Sequence, residues 1–223
     1  MVKSFDTQWD QVYNDGKQLN EFPFSDFVSF YFNKFKDNQS KLNILEVGCG
    51  AGNNLEFLAQ KGHNVYGIDI SEKVIEHTKQ KFSKKNLSGH FTVDTFIDLP
   101  YEDNFFDLII NRAAICHADM LNANIAMKEC NRVLNSNGVF YSTFYSNFNT
   151  FKATKIDFGF YDSFEKEFQN VGALKFYNIF EITKLFEKNN FDIKNLYLSD
   201  KKDMTEIPVQ IHSEWIIHAN KNK

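Results

Sequence analysis

The stretch ILEVGCGAGNN, Ile44 to Asn54, runs an apolar segment into a glutamate and three glycines at alternate positions. Leu42 to Val47 reads as a strand buried on both faces. Gly48, Gly50 and Gly52 admit positive φ and let a ligand approach bare backbone. From Asn53 to Lys61 the apolar residues Leu55, Leu58 and Ala59 recur at helical spacing, and Gly62 stops the helix. Glu46 stands two residues ahead of this turn. A carboxylate there repels a pyrophosphate and attracts a cation. The dinucleotide pattern G-x-G-x-x-G would also require glycine where the chain has Asn53. The segment therefore suits a positively charged nucleoside without phosphate.

The same rhythm continues outward. Asn64 to Ile70 reads as a second strand ending in Asp69. Ser71 then caps a helix whose apolar face is Val74, Ile75, Thr78 and Phe82. Phe91 to Thr95 reads as a third strand and Phe106 to Asn111 as a fourth. A helix over Leu121 to Leu134, a turn at Asn137-Gly138 and a fifth strand over Val139 to Phe144 follow. Two helices, Phe5 to Asn14 and Phe24 to Phe35, precede the first strand. Such alternation predicts an α/β fold, a Rossmann-like doubly wound sheet with helices on both faces. Tyr145 to Tyr177 breaks the rhythm and reads as irregular and aromatic. A helix over Ile179 to Lys188 and two strands, Phe191 to Leu198 and Glu214 to Ala219, close the chain. No helix separates those two strands, so they pair antiparallel at the sheet edge. The sheet is then seven-stranded and mostly parallel, with an antiparallel last strand. One domain over 1–223 is expected, with a helical cap (1–40), a ligand-binding core (41–144), an insert (145–177) and a C-terminal helix with edge strands (178–223).

The composition is that of an ordinary globular protein: 223 residues, 43% hydrophobic, 24% charged, net charge −4. A negative chain has no built-in attraction for a polyanion, so no nucleic-acid partner is expected. Cys49, Cys116 and Cys130 make an odd number without metal-ligand spacing, which favours reduced thiols and no metal. The N-terminal MVKSFDTQWDQ lacks the apolar core of a signal peptide, and no apolar run is long enough to span a bilayer. A soluble, cytoplasmic monomer or homodimer is expected. The 25 phenylalanines are read first as compositional bias.

Glu46-Val47-Gly48-Cys49-Gly50-Ala51-Gly52 resembles the first motif of the class I S-adenosylmethionine-dependent methyltransferases, of the type 11/12 kind. Asp69 falls where an acid of that family ends the second strand. Asp94 falls where another ends the third, within VDTFIDLPYEDNFFDLIINR. Asn131 to Gly138 is similar to the family's passage into the fifth strand, with Ser136-Asn137 in place of the commoner Pro-Gly. The likeness covers about 41–144 well and the tail from Phe176 in outline. It implies S-adenosylmethionine as donor, S-adenosylhomocysteine as product, no metal, and a small-molecule acceptor methylated most readily on oxygen. Carried onto this sequence, Glu46 and the backbone of Gly48, Cys49, Gly50 and Gly52 would face the methionine moiety, with Asn53 beside them. Asp69 would accept from the ribose hydroxyls and Ile70 would pack on the adenine. Asp94 would accept from the adenine amino group next to a Thr95 backbone contact. Asn111 would lie beneath the sulfonium with Arg112.

His117, in AAICHAD after the fourth strand, is the candidate general base, since an imidazole titrates near neutrality; the alternative is a packing or capping histidine. Asp119 reads as the cap of the next helix. Trp9 and Tyr13 stand one helical turn apart, either both packed on the sheet or with Tyr13 closing over the donor. Phe148, Phe151, Phe158, Phe160, Tyr161, Phe164 and Phe168 form either an acceptor roof or local core. His212 and His218 read as structural. Two other functions stay open: an NAD-linked oxidoreductase, and an RNA or protein methylase or non-catalytic partner on this scaffold. The missing Asn/Asp-Pro-Pro-Tyr motif, replaced by Asn111-Arg112-Ala113-Ala114, speaks against adenine or glutamine N-methylation.

Overall fold

Apolar strands alternating with amphipathic helices assemble here into one open sheet. The computed structural model describes residues 5–36, 40–151, 153–156, 159–162 and 171–222. The central sheet contains β1 (Asn43–Val47), β2 (Asn64–Asp69), β3 (His90–Val93), β4 (Phe106–Arg112) and β5 (Leu134–Tyr145). Two further strands, β9 (Phe191–Asp203) and β10 (Gln210–Lys221), complete it. Strand order is β3-β2-β1-β4-β5-β10-β9, and β10 runs antiparallel to both of its neighbours. The sheet is thus the seven-stranded, mostly parallel one expected.

Its two faces follow from the two-residue period of a strand. On one face Leu45, Ile109, Phe140, Phe144 and Ile217 pack under α5 (Met120–Val133) and α6 (Ile179–Lys188). On the other Ile44, Leu108, Ile110 and Tyr141 pack under α2 (Ser25–Phe35), α3 (Asn53–Gln60) and α4 (Glu72–Lys84). All four residues expected on the apolar face of α4 are buried, and Ser71 accepts the Val74 N–H at 3.3 Å as its cap. An N-terminal helix, α1 (Phe5–Asn14), lies against α4, with Asp10 hydrogen-bonded to Ser71. No helix among the described residues is long and apolar enough to cross a membrane.

Four local expectations are corrected. The turn at Asn137-Gly138 lies inside β5, as an irregularity in its pairing with β4: Phe106 faces Leu134, but Leu108 faces Val139. The Asn135 amide holds it, donating to Asp107 at 2.6 Å and accepting the Asn137 N–H at 3.0 Å. β3 stops at Val93, so Asp94 stands just beyond it. The insert is not wholly irregular: β6 (Thr154–Lys155), β7 (Phe160–Asp162) and β8 (Leu174–Lys175) form a small antiparallel sheet. Phe158, Phe164 and Phe168 lie outside the described residues. Finally, β9 and β10 are each longer than expected. Their outer residues are mostly polar and carry no sustained apolar alternation, but they pair with each other, Gln210 opposite Asp203 and His212 opposite Lys201.

Candidate active site

The parallel strands end on a cavity of about 440 Å³, within the roughly 300–1,000 Å³ range of small-ligand sites. It lies over β1 and β4, where strand order reverses and doubly wound sheets bind ligands. The glycine turn forms its floor. Gly48 has φ of +66°, and a Cβ there would stand 2.3 Å from the Ala114 Cβ, so packing alone demands glycine. Gly50, at φ +51°, is different: a Cβ would meet only the Tyr13 hydroxyl, at 3.3 Å. Its bareness faces the cavity.

Three acids follow in sheet order. Asp69 accepts the Gly50 N–H (2.9 Å) on one oxygen and the Ser71 N–H (3.0 Å) on the other. Burial pushes its pKa up to about 6 against those bonds. The Asp94 N–H donates to the Asp69 carbonyl at 3.0 Å, which ties the end of β3 to the end of β2. Glu46 is 2% exposed. Its Oε1 accepts from Asn54 at 2.7 Å, while Oε2 is buried without a hydrogen-bond partner. Burial pushes Glu46 up to about 8 despite the Asn54 bond and the more distant cations Arg112 and Lys81. Burial thus raises both carboxyls, and Glu46, with one oxygen unpartnered, the further of the two.

Of the residues expected at the donor, Tyr13, Glu46, Gly48, Cys49, Gly50, Asn53, Asp69, Ile70, Asp94, Thr95 and Arg112 line the cavity, and so does His117. Gly52 and Asn111 do not. Gly52 begins α3 with φ of +65° and lies beneath Thr78, whose Cγ2 would be 2.6 Å from an added Cβ. Asn111 is fully buried. Its amide donates to Ser142 (2.7 Å) and to the Thr143 carbonyl (3.3 Å), and its oxygen accepts the Ile115 N–H (3.1 Å). That side chain is committed to the turn after β4 and does not line the cavity.

His117 ends a short 3₁₀ turn, Ile115–His117, above β4. Burial pulls its pKa down to about 4, against a smaller opposing pull from the Ala173 carbonyl, so the ring is neutral at physiological pH. Its Nδ1 is buried with no hydrogen-bond partner, and Trp9 stands edge-on to the ring at 5.0 Å. Asp119 caps α5, accepting the Asn122 N–H at 2.8 Å. Trp9 and Tyr13 both reach the cavity from α1, and burial raises the Tyr13 phenol well above its usual value.

Several lining residues escaped the sequence reading. Phe24 stacks 4.2 Å from the Arg112 guanidinium. Its N–H donates to Asn54 at 3.2 Å, and Asn53 donates to the Phe22 carbonyl at 2.8 Å, so α3 anchors the N-terminal segment at the site. Glu214 accepts from Arg112 and from His212, each at 3.0 Å to the same oxygen. Burial pushes the Glu214 carboxyl up, but these partners outweigh it and hold the pKa at about 2. His212, expected to be structural, therefore belongs to the cavity wall, together with Lys201 and Tyr145. Position in the sheet brings this group together, and no local motif marks it. Of the insert's described residues, Tyr145 and Val171 reach the cavity; Phe148, Phe151, Phe160 and Tyr161 do not. Of the two readings of these rings, local core describes Phe151 and Tyr161, which pack against the core cluster. Among the described residues, no group of three or more His, Cys, Asp or Glu is placed to hold a metal ion.

Comparison with known proteins places this architecture. Residues 45–142 match the family described as a methyltransferase domain. An uncharacterized methyltransferase of Bacillus cereus is 24% identical over 219 residues, covering 96% of this chain and 95% of its own length. A SAM-dependent methyltransferase structure from Methanosarcina mazei superposes with a TM-score of 0.71 at 19% identity, over 90% of this chain and 99% of the other. The Burkholderia thailandensis 1,6-didemethyltoxoflavin-N1-methyltransferase, solved with its acceptor and S-adenosylhomocysteine, gives 0.72 at 12% identity over 99% and 88%.

Proposed function

Since this chain belongs to the class I S-adenosylmethionine-dependent methyltransferases, we propose that it methylates a hydroxyl of a small molecule held in the cavity above β1 and β4. The observation that carries this reading is the pairing of an acid-lined donor pocket with a neutral imidazole in the same wall, one of whose ring nitrogens, Nδ1, has no hydrogen-bond partner. Family membership removes the NAD-linked oxidoreductase from the alternatives.

The residues fit the donor. The orphaned Oε2 of Glu46 suits an ammonium, and Asp69 at the end of β2 suits a pair of ribose hydroxyls. Asp94, with Thr95 and Ile70 beside it, suits an adenine edge and face. When bound, S-adenosylmethionine supplies a methyl on a sulfonium, already activated for displacement. The protein has then to align acceptor, methyl and sulfur, and such positioning is worth on the order of 7–11 kcal/mol at best. A cation arriving beside Glu46 favours its ionised form, so binding at neutral pH displaces a proton from that carboxyl. Trp9 and Tyr13 cover the site from α1 and exclude water. His117 receives the proton that a hydroxyl must lose on methylation.

Calorimetry tests the donor half: S-adenosylhomocysteine binds and NAD does not. The catalytic half is tested on an acceptor found by screening with methyl-labelled donor. His117→Asn should lower kcat about 100-fold and leave the affinity for S-adenosylhomocysteine within a factor of about two. Full turnover by the variant would remove the histidine from the mechanism.

A further inference from the structure

The cavity is electrically polar along the sheet. Reading across the strand order, the acids stand at the ends of β3 (Asp94), β2 (Asp69) and β1 (Glu46). Beyond the switch point basic side chains enter the wall: Arg112 at the end of β4, the His212 imidazole on β10 and Lys201 on β9. All reach the same rim because β10 is antiparallel. Its Glu214 sits opposite Tyr145 at the end of β5, and its His212 opposite Lys201. With strands about 4.8 Å apart, Lys201 lies about 19 Å along the rim from the strand of Glu46.

Two carboxylates also line this second half: Asp119, which is engaged in capping α5 and accepting from the Asn122 amide, and Glu214. Glu214 is matched by Arg112, and the two form a buried pair with side chains 8% and 15% exposed. The Lys201 ammonium lines the cavity and has neither a hydrogen bond nor an ion pair among the described residues. A strand bearing an unpaired ammonium into a cleft, next to an imidazole and a guanidinium, is built for an anion. The donor's own positive charges belong at the other end, among the carboxylates.

We infer that the methyl acceptor is an acid: a small molecule whose carboxylate or phosphate is held by Lys201 and His212, with the Arg112–Glu214 pair fixing His212 behind it. Its nucleophilic atom then projects from the β9–β10 rim toward His117 and the donor. This rests on the donor-site reading above, since the acid-lined end must belong to the donor for the basic end to belong to the acceptor.

The test uses whole protein saturated with S-adenosylhomocysteine, titrated separately with orthophosphate, benzoate and uncharged benzyl alcohol. The two anions should bind saturably and the alcohol should not. Lys201→Glu should weaken anion binding at least tenfold and leave the affinity for S-adenosylhomocysteine unchanged. Tighter orthophosphate indicates a phosphorylated acceptor, and tighter benzoate a carboxylic one. If S-adenosylhomocysteine binds but neither anion does, or if Lys201→Glu binds them as wild type does, the inference is overturned and the donor reading stands. If S-adenosylhomocysteine itself does not bind, the donor reading falls and the inference with it.

Discussion

The two ends of the cavity are built on different principles. At the acidic end the side chains lie at or just past the ends of successive parallel strands. Two of the three are held by backbone N–H groups, Asp69 by Gly50 and Ser71 and Asp94 by its neighbour Thr95 at 2.7 Å, while Glu46 is held by the nearby Asn54 amide. At the basic end Arg112, Glu214 and His212 hold one another, side chain to side chain, across a sequence separation of a hundred residues. The first end is rigid because the turn is rigid. The second is rigid only while the buried pair is intact.

The sharpest way to break this contrast is Glu214→Ala. Removing one member of a buried ion pair leaves the other uncompensated, at a cost of about 3–5 kcal/mol. Arg112, stacked under Phe24, has no second carboxylate as an ion-pair partner among the described residues. Denaturant unfolding should show that loss of stability, while the affinity for S-adenosylhomocysteine changes little. Asp69→Ala should do the reverse. It removes a proposed donor contact together with the brace of Gly50, so calorimetry should register roughly 100-fold weaker S-adenosylhomocysteine binding, about 2.7 kcal/mol. Equal effects of both variants on both measurements would erase the distinction between the ends.

A subtler comparison uses pH. The folded pKa values of Glu46 and Asp69, about 8 and about 6, lie above the ordinary 4.5 and 3.8. For acids raised on folding, the stabilisation is complete below the unfolded value and is lost as pH rises through the folded one. Ligand-free protein should therefore lose stability between about pH 4 and 8, at a slope of up to roughly 1.4 kcal/mol per pH unit for each group titrating. Thermal unfolding of Glu46→Gln should show a flatter profile above pH 6, and saturating S-adenosylhomocysteine should flatten the wild-type profile too. No such dependence is expected from Glu214, which already lies at about 2.

The same contrast explains what the sequence discloses. The acidic end was legible because its parts are local: a strand, a glycine turn and an acid at each strand end, each within a few residues of a pattern. Spacing locates Asn111 at a strand's end but does not say to which side its amide turns. Here it turns inward to Ser142 and Ile115. His212 lies ahead of the apolar run that marks the last strand and Glu214 only opens it; no motif marks either as a site residue, and their pairing in the sheet carries them to the rim. Asn54, four residues past Gly50, was seen only as the end of a motif. Its role, bridging Glu46 to Phe24, depends on a segment thirty residues earlier.

The smallest effect belongs to the insert, and it separates composition from construction. The run of aromatic residues after β5 invites a lid, yet Phe148 is 52% exposed and, among the described residues, its ring contact is a distant one with Trp215, 6.4 Å between centroids. A ring that covers neither core nor cavity has little to lose. Phe148→Ala should shift unfolding free energy by less than about 0.5 kcal/mol and leave S-adenosylhomocysteine binding as it is. Tyr177, fully buried against Phe144 at 5.1 Å, is the control, since truncating a buried aromatic costs about 3–5 kcal/mol. Comparable losses in the two variants would mean that the exposed ring has a partner, and that the insert's aromatics form a surface after all.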